Sequence, residues 1–154
     1  MNRLGLFLLA LCFVVDPARA LCVSAYQTRL RAEPNAGAKI TWVVGRYMPL
    51  AEIERRGGWY KVRDMDGDVH WALVSELSGR ERCVVVKVRS AELRTGPGVK
   101  QPLADVQTVD RYTAFKRLEA DPENWYRVED EVGNRYWIAA TQVWRATTVS
   151  RIGF

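Results

Sequence analysis

"GWYKVRDMDGDVHW" (residues 58–71) and "NWYRVEDEVGNRYW" (residues 124–137) are one segment written twice. They align without a gap, and Trp59/Trp125, Tyr60/Tyr126, Val62/Val128, Asp64/Asp130, Gly67/Gly133 and Trp71/Trp137 are identical. Ahead of the turn the residues alternate, setting Tyr60 and Val62 on one face and Trp59 and Lys61 on the other. That period of two belongs to a strand. Asp-Gly in one copy and Gly-Asn in the other are the chemistry of a tight hairpin, which makes residues 69–71 and 135–138 the returning strands.

The duplication reaches well beyond the hairpins. Leu30-Arg31 and Pro34 match Leu93-Arg94 and Pro97 at an offset of 63, and Arg46-Tyr47 matches Arg111-Tyr112 at 65. The Trp-Tyr pair follows at 66, so the offset grows only where Gly, Pro and Asn mark loops. Insertions confined to loops are what two copies of one fold should show. Two units of roughly 60 residues are too few for a solenoid, which needs at least three, and each stands near the lower size limit for its own core. Glu33-Pro34-Asn35 and Gly96-Pro97-Gly98 are turns that no central strand tolerates, and no stretch carries a capped helical stripe. The fold class expected is all-β, as two small domains at residues 22–78 and 83–145, a short linker at 79–82 and a tail at 146–154.

The N-terminus has a different character. A short basic start, the apolar run Leu4–Val15 and the small-x-small site Ala18-Arg19-Ala20 have the order of a secretory signal peptide, predicting cleavage after residue 20. The run is too short to span a bilayer, no later stretch is long enough, and neither Cys12 nor Cys22 follows a small residue as a lipoprotein anchor requires. The expectation is an exported protein, periplasmic or secreted, with no integral membrane segment after cleavage. Past residue 20 the chain keeps 21 basic and 17 acidic residues, interspersed rather than gathered into one arm. This is not the clustered charge of a nucleic-acid binder. Cys22 and Cys83 remain in that portion; in an oxidising compartment they are a candidate disulfide, with two separate buried thiols as the alternative.

In this order, "LR-x-x-P", a variable loop, an apolar strand, "WY-[KR]-V", a glycine turn and "W-[IA]-x-x-x-x-[LV]" resemble the bacterial SH3-like (SH3b) domain, present twice. The resemblance covers about residues 22–145, and Leu93–Gly98 follows the family pattern more closely than Leu30–Pro34. It implies a five-stranded barrel per copy and a binding rather than a catalytic role. Such domains often accompany cell-wall hydrolases, and no hydrolase segment is legible in this chain.

Catalytic and metal chemistry find little support in the residues. A thiol peptidase needs a histidine base, and the sole histidine, His70, is answered by Tyr136 in the second copy. One histidine and two distant cysteines fall short of a zinc site. "DMDGD" (residues 64–68) sets its glycine between the second and third aspartates and lacks the closing glutamate of a calcium loop, which leaves a solvated turn. No cofactor is implied. The resemblance to SH3 domains offers Trp59, Trp71, Trp125 and Trp137, with His70 and Tyr136 beside them, as ligand-binding rim residues, while packing inside the domain is the competing role for Trp71 and Trp137. The expected function is non-catalytic recognition of a cell-envelope component, peptidoglycan or its stem peptide. The alternative is a protein-interaction adaptor that engages an envelope protein and never touches the wall.

Overall fold

The computed structural model describes residues 19–120 and 124–147; most of the expected signal segment and the end of the tail lie outside them. The first unit contains β1 (Ala20–Val23), β2 (Gln27–Arg31), β3 (Ile40–Gly45), β4 (Pro49–Arg56), β5 (Trp59–Arg63), β6 (Val69–Leu73), a 3-10 turn at Val74–Glu76 and β7 (Leu77–Ser78). The second repeats it with β8 (Cys83–Val86), β9 (Ser90–Arg94), β10 (Leu103–Asp110), β11 (Ala114–Ala120), β12 (Trp125–Glu129), β13 (Arg135–Ala139), a 3-10 turn at Ala140–Gln142 and β14 (Val143–Trp144). The sheets are separate, with orders β3-β2-β6-β5-β4-β1-β7 and β10-β9-β13-β12-β11-β8-β14. The chain is all-β, two units of one topology.

Where the family pattern implies five strands, each unit has seven segments. The opening strand of the first unit breaks at residues 24–26: β1 pairs with β4 and β7, whereas β2 pairs with β3 and β6. One stretch of chain thereby serves both ends of the sheet. Register slips between Leu30 and Arg31 and between Glu52 and Glu54 bend the sheet, as bulges do. The curled sheet closes over one core containing Leu21, Val23, Leu30, Val44, Leu50, Tyr60, Val62 and Ala72. Fully buried, each leucine or valine among them contributes about 1.5–3 kcal/mol. In the second core Val84, Val86, Leu93, Phe115, Val128 and Ile138 play the same part.

The repeated hairpin residues have structural duties. Tyr60 pairs with Ala72 and Val62 with His70 on the inner face, while Lys61 pairs with Trp71 on the outer one. Asp64 Oδ1 accepts the amides of Asp66 and Asp68 at 2.9 Å each, and Asp130 Oδ1 accepts those of Val132 and Asn134 at 3.1 and 2.8 Å. These are Asx turns. Gly67 and Gly133 have φ of 91° and 95°, a region where a Cβ is strained.

The two units share a seam. Cys22 on β1 and Cys83 on β8 form a disulfide with a Cα–Cα distance of 6.0 Å. Tyr47 is buried against both cysteines with Ala114 alongside, and Val85 and Trp144 of the second unit pack on the first core. The duplicated Arg-Tyr pairs form the turns of the seam. Tyr47 and Tyr112 both take left-handed backbone, φ 68° and 72°, costly for an aromatic residue. Their amides donate to Val23 and Val86 across the unit at 2.8 and 2.9 Å, which holds each turn in place.

Candidate functional site

Three strand positions and two turns build a cleft at that seam. It has a volume of about 250 Å³ and is lined by Thr41, Trp42, Asp64, Asp66, Asp68, His70 and Tyr112. Trp42 stands on β3, opposite Leu30, with its indole half-buried at the mouth of the barrel. His70 lies on the inner face of β6 because it pairs with Val62. The Asx turn projects Asp66 and Asp68 into solvent. Tyr112 arrives from the second unit, its ring edge-on to Trp42 with centroids 5.3 Å apart.

A hydrogen-bond chain runs beneath this cleft. His70 Nε2 lies 3.0 Å from Asp64 Oδ2 and His70 Nδ1 lies 2.7 Å from Thr41 Oγ1. An ionised carboxylate only accepts, so Nε2 carries the proton toward Asp64; in the neutral ring Nδ1 then accepts from the Thr41 hydroxyl. Asp64 and His70 are both buried, at 4% and 7% exposure, and the pair satisfies polar groups that would be expensive to bury alone. His70 thus pins β3 to the hairpin turn. The order hydroxyl, imidazole, carboxylate is also that of a nucleophilic triad.

The rim is ionic. Asp66 accepts from Arg111 at 2.6 Å and from the Tyr112 hydroxyl at 2.8 Å, joining the two units. The Tyr112 hydroxyl and the Asp66 carboxylate raise the Arg111 guanidinium above its ordinary pKa. Among the described residues Asp68 forms no ion pair. Aromatic walls beside carboxylates attract a cationic group, the first through the ring faces and the second by charge.

The corresponding corner of the second unit is built differently. Thr95, Ala104, Asp105, Val106, Asn134, Arg135 and Tyr136 line it. Tyr136 occupies the place of His70 over Asp130, and burial, followed by the charge of Asp130, pushes its phenol above the usual value. Among the described residues, no aromatic side chain from the other unit lines this corner.

Of the tryptophans singled out in the sequence, Trp59 and Trp125 are half-buried on the outer faces of β5 and β12. Trp71 is only 6% exposed; Arg56 and Lys61 cover its ring at 5.0 and 5.9 Å. Trp137 is half-buried at the matching position. These four are not brought together with His70 in one pocket; among the candidates, His70 lines the seam cleft and Tyr136 the corner of the second unit. Thr41, Trp42, Asp66 and Tyr112 were not singled out as ligand residues. The available signal was the difference between the copies: the identical positions Val62, Asp64 and Gly67 serve the fold, while His70 differs from Tyr136.

The family model of the bacterial SH3 domain matches residues 26–79. The first unit is a bacterial SH3 domain. The unit following this SH3 domain repeats its strand order and inward-facing residues. No curated protein matches the chain. Among solved structures, NlpC2 from Trichomonas vaginalis is similar at 11% identity and a TM-score of 0.37, covering 82% of this chain and 48% of that one. An NlpC/P60 family protein from Bacillus cereus is similar at 15% identity and a TM-score of 0.39, with 83% and 57% covered. The chain thus spans about half the length of each.

Proposed function

We propose that this is an exported, non-catalytic binding protein that recognises peptidoglycan, with the stem peptide as the recognised part. The observation that carries this reading is an SH3 domain whose open cleft combines aromatic walls with carboxylates. A stem peptide offers amino groups suited to Asp68 and the Trp42–Tyr112 walls. Export agrees with the disulfide and with the absence, among the described residues, of any helix long and apolar enough to cross a membrane. Wall is also a polymer, so two SH3-like units tied at fixed spacing gain avidity if both engage it, by about 10²–10⁴-fold.

Co-sedimentation with purified sacculi tests the reading. The wild-type protein should pellet with the wall, and Asp68→Asn and Tyr112→Ala, both exposed positions, should reduce the bound fraction without loss of fold. Wild-type protein that stays in the supernatant even with sacculi in large excess refutes it and leaves the envelope-protein adaptor.

A second reading has one observation in its favour, the Thr41–His70–Asp64 order. In it Thr41 is the nucleophile and His70 its base. Binding is preferred because Asp64 and His70 already hold the hairpin: Asp64 takes two turn amides on one oxygen and His70 on the other. Turnover of wall fragments that disappears in Thr41→Ala would establish the enzymatic reading instead.

A further inference from the structure

The outer sheet faces of the two units are built on the same register and differ in charge. Arg31 pairs with Trp71 and Trp71 with Lys61 across β2, β6 and β5; Arg94, Trp137 and Arg127 form the matching row across β9, β13 and β12. In the second unit the arginines of this face are neutralised. Arg94 is paired with Glu92, Arg127 with Glu119 at 2.9 Å and Arg135 with Glu129 at 3.0 Å.

The SH3 domain lacks two of those three carboxylates and keeps the third as Glu54, which faces Lys61 as Glu119 faces Arg127. Arg29 stands where the second unit has Glu92, and Arg63 where it has Glu129. Arg29, Arg31, Arg56, Lys61 and Arg63 share the face with Glu54, which pairs with Arg56 at 2.9 Å. Arg56 and Lys61 also lie over one indole, that of Trp71. Between the cations sit exposed β-branched side chains: Ile40, Val43 and Val69, each 42–43% accessible. Like charges gathered on neighbouring strands repel, so the free chain carries a cost that the second unit avoids.

We propose that this face of the SH3 domain is a docking surface for an acidic polypeptide, whose carboxylates take the places that Glu92 and Glu129 hold in the second unit. Carboxylate is the chemistry because the molecule itself neutralises the matching face that way. Four of the five cations are arginines, whose planar fork meets a carboxylate with two parallel hydrogen bonds. Ile40, Val43 and Val69 supply apolar area between the charges. The surface lies apart from the seam cleft and does not rest on the peptidoglycan reading.

The test uses the full-length mature chain, its disulfide intact, with a glutamate-rich peptide and its glutamine counterpart as probes. Calorimetric titration should detect the glutamate peptide alone, with affinity falling as salt rises. The variant Arg29→Glu with Arg63→Glu installs the second unit's solution. It should weaken binding by about tenfold, since two attractions are lost and two repulsions added, while the melting temperature is held or raised. Because the second unit folds with glutamates there, loss of fold is not the expected outcome. The converse variant, Glu92→Arg with Glu129→Arg, should create a second binding face of the same preference. Equal binding of both peptides, or undiminished binding by a folded Arg29→Glu/Arg63→Glu protein, overturns the proposal. So does a polyphosphate that binds where the glutamate peptide does not.

Discussion

Asp64→Ala should cost more than the same change at Asp130, although both residues stand at the same place in the repeat. Asp64 accepts three hydrogen bonds: two turn amides at 2.9 Å on Oδ1, and His70 Nε2 at 3.0 Å on Oδ2. The turn amides are close to solvent and recover water, which limits their loss to about 0.5–1 kcal/mol each. His70 is 93% buried by its 7% exposure, and its orphaned N–H should cost a further 1–3 kcal/mol or so. The expected total is about 3 kcal/mol. At Asp130 the partners are the amides of Val132 and Asn134 and the Asn134 side chain, all exposed, and the expected cost is about 1–2 kcal/mol. Urea unfolding followed by tryptophan fluorescence reads both, provided the slope against denaturant is unchanged. A double-mutant cycle with His70→Ala should return a coupling of about 1–2 kcal/mol. Equal costs at the two sites, or no coupling, would refute the assignment of His70 as the peg that ties β3 to the hairpin.

Other outcomes follow from the seam and the outer faces. Unreduced protein lacking residues 1–20, and with them Cys12, should take up no thiol reagent under denaturing conditions, and Cys22→Ser with Cys83→Ser should lose about 4 kcal/mol by the chain-entropy relation for a separation of 61 residues. Trp71→Ala should cost about 3–5 kcal/mol, because the indole is buried under Arg56 and Lys61, whereas the half-buried Trp59 should cost clearly less; equal melting temperatures for the two variants would contradict this. The raised Tyr136 phenol binds its proton more tightly in the folded state. Its contribution is therefore whole below the unfolded value near 10 and is lost as pH rises toward the folded value. Denaturation midpoints should fall above about pH 10 in the wild type and less steeply in Tyr136→Phe.

The sequence alone determined the all-β class, the duplication, the hairpins and the placing of Cys22 and Cys83 at similar positions ahead of the same motif. Those features are local. Alternation, Asp-Gly and Gly-Asn turns and identical spacings act over a few residues, so they are legible without coordinates. Seven segments in place of five was not legible, because the break at residues 24–26 depends on which partners each half finds across the sheet. The pairing of Cys22 with Cys83 was one of two open alternatives in the sequence, and the structure decides it by bringing their Cα atoms to 6.0 Å. The cleft was hidden for the same reason. Trp42 and Tyr112 are 70 residues apart in the chain, and only the seam, set by the disulfide, Tyr47 and Val85, carries the second unit's Arg-Tyr turn onto the first unit's Asp66. The charge contrast of the outer faces stood in the letters Arg29, Arg63, Glu92 and Glu129, yet its meaning needed cross-strand register. Tertiary structure decided which side chains meet, because meeting depends on contacts between residues far apart in the chain, and no local pattern encodes them.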